Sequence, residues 1–246
     1  MNTYLKLTWT QFKLFSREPA ALFFTLAFPL LLLLLFGAIF GNEIDPRYSH
    51  KFGYIDAQVP GLTALIIGTV ALMTIPTATA TAREQKILRR YKATPMPPLV
   101  YLAADITVHV FNALVGLVLL IIAALLVFEL RFGGNWLYVF LGFMLSALAF
   151  SAVGYLIAGL SPTGRIAQVV GQVVFFPMMF LSGAMLPHEI IPAGIQAVSE
   201  WLPLTHVVRL LQGLWFGQGW NSTALLILGA MLLLGTTLSV YTFRWE

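Results

Sequence analysis

The sequence predicts an all-α integral membrane protein with six transmembrane helices, an interfacial amphipathic helix at the N-terminus and a re-entrant helical hairpin between spans five and six. Three observations predict it. Apolar residues make up 59% of the 246-residue chain and charged residues 10%, against about 45–50% and about 25% in soluble domains. The few charges gather in short clusters between long apolar stretches, and mean hydropathy is +0.86. Those stretches also sort the cations unequally onto two sides. Cysteine is absent, which removes disulfides, thiolate metal sites and cysteine nucleophiles.

The spans follow from where charge is missing. No charged residue occurs at 19–42, 57–82, 106–128, 132–164 or 166–187, and a last apolar run after Arg209 is continuous from about residue 223 to 243. Each suffices for the ~20 residues that cross a hydrocarbon core of about 30 Å. Spans are therefore expected at about residues 20–41, 60–82, 105–128, 136–160, 166–186 and 223–243, in one transmembrane domain covering 1–246. Stretches 30–35 and 225–234 lack the polar face of a soluble helix. The first segment is too long for a removed signal peptide and follows an amphipathic stretch, so it is expected to be retained.

Six spans put both termini on one side. Lys6, Lys13, Arg17, Arg83, Lys86, Arg89, Arg90, Lys92, Arg165 and Arg244 share that side, against Arg47, Lys51, Arg131 and Arg209 opposite. Positively charged loops stay inside, so the termini are expected in the cytoplasm.

Three segments are not simple spans. On a wheel of residues 4–17, Lys6, Lys13 and Arg17 cluster on one side, while Tyr4, Leu5, Leu7, Trp9, Phe12, Leu14 and Phe15 fill the opposite arc. This pattern predicts a helix at the headgroup boundary, as an anchor for span one or additionally as a docking element. Residues 83–92 form the densest charge cluster, ended by Pro95, Pro97 and Pro98. A wheel places Glu84 with Ile87, Leu88 and Tyr91 on one face of a short amphipathic helix. Either that helix contacts another protein, or the cluster only enforces topology. Residues 187–216 are too long for a turn and too apolar for a free loop; Pro203 separates two short helices at the outer interface, with Trp201 and Trp215 as belt residues.

Several chemistries are missing. There is no G-x-x-x-x-G-K-[ST] phosphate loop and no H-E-x-x-H pair, His188-Glu189 lacking the second histidine. Ser182-Gly183 has no histidine and acid placed to activate it. Within the spans, Asp105, His109 and Asn112 form a polar stripe on span three, open to two readings: a proton relay, or a helix-start carboxylate reaching water at the cytoplasmic entrance. Gln168 and Gln172 share a face of span five, where interhelical hydrogen bonds account for them without a substrate. Pro29, Pro76 and Pro177 are expected to kink spans one, two and five.

Two stretches carry a resemblance. One runs from Arg83-Glu84 through Leu88-Arg89-Arg90 to Ala93-Thr94-Pro95; the other from Leu181 to Pro187, through Pro192, to the run Trp201 to Arg209. In this order and on these sides, they make the whole chain resemble an ABC-2 type transporter permease of the drug and lipid exporter kind. One departure is Lys86-Ile87, where a glycine-threonine pair is usual before the leucine.

The resemblance implies a homodimeric permease, not catalytic by itself, in the cytoplasmic membrane of a prokaryote. Each copy would dock on a separate ATP-binding subunit that holds ATP and Mg. The contact would involve the N-terminal helix, with Lys6, Phe12, Lys13 and Arg17, and the segment bearing Arg83, Glu84, Lys86, Arg89 and Arg90. The re-entrant helices would cover about 190–201 and 204–214. Membrane lipids are implied as partners and nucleic acid is not. The cargo would be hydrophobic or amphiphilic, drug-like compounds or lipids, as in multidrug efflux. The alternatives are a lipid-linked glycan exporter, an ion-coupled transporter using Asp105 and His109, and a non-transporting assembly factor.

Overall fold

Six helices are long and apolar enough to cross a membrane in the computed structural model, which describes residues 3–44, 51–92, 98–185 and 193–242. They are Pro19–Phe40, Tyr54–Glu84, Val100–Phe128, Trp136–Leu160, Gly164–Leu181 and Ser222–Thr242. Three boundaries move from those expected. Span two begins at Tyr54 rather than near 60, because Asp56 sits in its first turn and accepts the Gly53 N–H at 2.8 Å. The acid that bounds the charge-free stretch therefore belongs to the helix start. The third helix begins at Pro98 rather than near 105, proline at the first helical position having no donor to leave unpaired. Span five ends at Leu181 rather than 186.

Span two is the hub. Protein buries 94% of its most apolar window, against 17% for span six. Because its surroundings are protein rather than lipid, it carries polar side chains that find partners inside the bundle. Thr63 and Thr69 donate to the carbonyls of Val59 and Leu65, and Gln58 donates to those of Ala184 and Met185 at 3.0 Å.

The helices run through the prolines expected to kink them. Five-residue π-helical turns precede two of these, Phe23–Ala27 ahead of Pro29 and Val70–Thr74 ahead of Pro76, whereas Pro177 lies within an α-helix. Pro76 has no N–H for the carbonyl four or five residues back, that of Leu72 or Ala71. Those same carbonyls face bare backbone from neighbouring spans. A Cβ on Gly154 would overlap the Ala71 oxygen, and one on Gly171 the Leu72 oxygen. Pro29 repeats the device: a Cβ on Gly116 of span three would come within 3.1 Å of the Thr25 oxygen. Glycine admits this close approach and lets Cα–H groups face the carbonyls.

After span five come two short helices, Ala193–Ser199 and Pro203–Trp215. The first part of the expected hairpin, with His188 and Glu189, lies outside the described residues. Pro203 opens the second helix instead of merely separating two pieces. That helix is amphipathic, and Leu204, Val207, Leu210, Leu211 and Leu214 are buried against spans two, four and six. Trp215 is also buried, edge-on to Phe132 and Trp136, and so is no belt residue; Trp201 is exposed. The turn is tied by Thr205 donating to the Ser199 carbonyl at 2.7 Å, by His206 at 3.0 Å from the Glu200 carbonyl, and by an Arg209–Glu200 ion pair.

Two predictions follow from the packing. Gly154→Leu and Gly171→Leu should each destabilise the protein by about 3 kcal/mol or more, while Gly229→Leu, on span six with open space around it, should stay within about 0.5 kcal/mol; thermal unfolding in detergent reads the difference. Burial pushes the His206 imidazole below its ordinary pKa, against a smaller opposing effect of the Glu200 carbonyl. The unfolded chain then binds a proton more readily than the folded one. Stability should be level above about pH 7 and fall as pH drops through about 6.5. The unfolding midpoint of His206→Gln should lose less than the parent's between about pH 7.5 and 5.5.

Candidate functional site

The N-terminal helix, Thr3–Phe15, lies along the first turns of the third helix. Tyr4 and Thr107 hydroxyls are 2.8 Å apart, Phe12 meets Phe111 edge-on, and Phe15 meets His109 edge-on at 6.3 Å. The expected apolar arc is thus divided. Leu7 and Phe15 are buried, while Leu5, Trp9 and Leu14 remain exposed beside Lys6, Lys13 and Arg17, with the Lys13 ammonium 5.3 Å over the Trp9 ring.

The charge cluster at 83–92 departs from the single helix expected. Span two continues to Glu84, the chain reverses at Gln85 and Lys86, the latter at φ +58, and a new helix runs Ile87–Lys92. A left-handed residue ends the α-helical register, so Glu84 does not share a face with Ile87, Leu88 and Tyr91. Arg83 and Glu84 instead hold the turn between spans four and five. Arg83 donates to the Ser161 carbonyl, and Glu84 accepts the Gly164 N–H at 3.0 Å, capping the start of span five. Lys86 and Arg89 are exposed; Arg90 belongs to the helix, its side chain lying outside the described residues.

Leu88 draws this short helix inward. It is fully buried with Leu7, Tyr101 and Ala104 in a small core of its own. The N-terminal helix, the helix Ile87–Lys92 and the base of span three therefore form one unit, the basic end, whose exposed side chains include Lys6, Lys13, Lys86 and Arg89.

Beneath that unit lie the polar residues of span three. Asp105 is not a surface carboxylate at an entrance: it is 5% exposed and accepts a 2.6 Å hydrogen bond from Tyr155 of span four. His109 Nε2 stands 3.7 Å from the same carboxylate oxygen. His109 Nδ1 and Asn112 Nδ2 are buried without a partner. A cavity of about 250 Å³ opens between the N-terminal helix, span two and span three, with Asp105 and His109 in its wall. A second, of about 290 Å³, lies between spans one, two and five and takes in Gln168 and Gln172. Glu18 and Ala78 border both. Among the described residues no three His, Asp or Glu side chains converge as a metal site.

Two residues escape the sequence reading. Tyr155 is grouped with the hydrophobic residues in the composition, and nothing in its neighbourhood of sequence marks it. Asp56 is detectable as an acid three residues after the glycine that starts span two. Its carboxylate is fully buried at the end opposite the basic one, accepting from Gly53 N, Asn42 Nδ2 and Arg131 N at 2.8–2.9 Å, with Arg131 Nη1 at 3.6 Å. Asn42 also donates to the Phe128 carbonyl and accepts from Ile55 and Asp56 N–H groups. The knot ties the ends of spans one, two and three.

Comparison with known proteins adds a lineage. The sequence profile described as ABC-2 type transporter matches residues 3–216. The chain is 27% identical over 188 residues to the inner membrane transport permease YadH of Escherichia coli K12, covering 75% of this chain and 72% of that one. It is 25% identical over 232 residues to the daunorubicin resistance ABC transporter permease protein DrrB1 of Streptomyces coeruleorubidus, covering 91% and 79%. The putative transport permease YvfS of Bacillus subtilis is 25% identical, covering 99% of this chain and 98% of its own.

Asp56→Ala should cost about 3–5 kcal/mol, because it strips a buried carboxylate from three donors and an arginine. Denaturant unfolding in detergent checks this against Glu43→Ala, at an exposed neighbouring site, which should change little.

Proposed function

Since the chain belongs to the ABC-2 type transporter family, and is a multi-pass membrane protein with inner-membrane transport permeases among its relatives, we propose that it is the permease subunit of an ATP-driven exporter of hydrophobic or amphiphilic compounds. The energy comes from a separate ATPase subunit that binds ATP and Mg. The permease works as a homodimer in the cytoplasmic membrane, with both termini inside. The N-terminal helix lies at the inner headgroup boundary and the paired helices after span five are re-entrant from outside. Apolar spans with few charges suit amphiphiles better than free ions, and the drug-resistance name of one relative agrees with that class.

One observation carries the reading. The N-terminal helix and the helix Ile87–Lys92 share a core through Leu7 and Leu88 on the base of span three, and Lys6, Lys13, Arg17, Lys86 and Arg89 around that core are exposed. A partner pressing on that unit moves span three, and span three is bonded to span four through Asp105 and Tyr155. Closure of the ATPase pair would thus re-pack the spans and change the side to which the pathway opens.

The buried Asp105–His109 pair favours a second reading, ion-coupled transport. Uptake into inverted vesicles separates the two: the exporter reading requires ATP and survives collapse of the proton gradient, and ion coupling shows the reverse. For the coupling face, Lys86→Glu with Arg89→Glu should abolish co-purification with the ATPase. Its unfolding midpoint should move by no more than about 0.5 kcal/mol equivalent, since both side chains are exposed. A complex that survives both reversals would remove these residues from the contact.

A further inference from the structure

The cavity between the N-terminal helix, span two and span three has a chemical character that neither packing nor docking requires. Among the described residues its lining holds two carboxylates, Asp105 and Glu18, and no lysine or arginine. Asp105 Oδ2 accepts a hydrogen bond from the Tyr155 hydroxyl at 2.6 Å and faces His109 Nε2 at 3.7 Å. A proton assigned to Nε2, where the carboxylate attracts it, leaves Nδ1 as an acceptor. That Nδ1 is buried, without a partner, on a residue 5% exposed. Thr79, 3% exposed, contributes a second unpartnered buried atom, its hydroxyl oxygen, from the opposing wall on span two. Buried polar atoms are rarely left unsatisfied unless something else fills the site. Phe15 and Tyr101 supply buried aromatic surface, which attracts cations through the ring face.

We propose that this cavity binds the ammonium group of a cationic amphiphile. An ammonium brings only donors and a positive charge, matching a lining that holds two carboxylates, a histidine and a threonine and neither lysine nor arginine. A phosphate or sulfate would meet like charge there. At about 250 Å³ the cavity admits the head and first carbons, and the rest of an alkyl tail extends outward between the helices. The site stands on this chain alone and holds with or without ATP-driven transport.

The test is equilibrium dialysis of the full chain, without ATPase or nucleotide, in neutral maltoside micelles with radiolabelled octylammonium. Saturable binding of one ligand per chain, above the uptake of empty micelles, is expected. Asp105→Asn, which keeps the shape, and Glu18→Gln, at an exposed position that leaves the fold alone, should each weaken it at least about tenfold, as loss of a charge-assisted contact does. Octanol, octyl phosphate and ammonium chloride should fail to displace the probe, showing that charge, its sign and the tail all matter. Uptake equal to that of empty micelles, binding unchanged in both variants, or displacement by octyl phosphate as readily as by unlabelled octylammonium would overturn the proposal.

Discussion

Inside a bilayer no water exists to satisfy a backbone carbonyl that has lost its donor, and this fold is arranged around that constraint. Pro76 leaves a carbonyl of span two short of an N–H at the middle of the bundle, and Pro29 does the same in span one. In both places the helix widens into a π-turn, and glycines from other spans close in: Gly154 and Gly171 on the Ala71 and Leu72 oxygens, Gly116 on that of Thr25. The prolines and glycines are therefore complementary halves of single contacts. They make span two the member that every other packing decision accommodates, and explain why it carries threonines and a glutamine where lipid-facing spans carry leucine.

The two ends of the bundle differ in how completely they are bonded and filled. At one end Asn42, Asp56 and Arg131 knit three spans through a saturated set of short hydrogen bonds around a fully buried carboxylate. Towards the basic end lie a cavity of about 250 Å³ beside the N-terminal helix and one of about 290 Å³ between spans one, two and five, and the polar atoms there include several without partners. Span three connects these features, since its first turns belong to the basic end and its polar stripe lines the cavity.

How much of this was legible in the sequence depended on the range of the interaction. Charge-free length is a local property, so all six spans emerged with boundaries a few residues off. Residues 83–92 misled because a wheel assumes one uninterrupted helix. The break at Lys86 exists because Leu88 is buried against Leu7, Tyr101 and Ala104, partners in other helices that no wheel contains. Trp215 looked like a belt residue by type and proved to be core, and Asp105 looked water-accessible by position and proved buried, each through neighbours supplied by distant segments.

By itself the sequence determined the class, the number of crossings and the side favoured by cations, because these depend on composition summed along the chain against a slab of fixed thickness. It also carried the family likeness, through motifs contiguous in the chain. Only the tertiary structure decided that Asp105 belongs with Tyr155, 50 residues away, that Glu84 caps span five, and that His109 and Thr79, each with an unpartnered buried atom, line the same cavity. Those facts are pairings between side chains on different helices. Apolar spans can pack in many registers, and the register is selected by which glycine meets which carbonyl, a choice that no single helix contains.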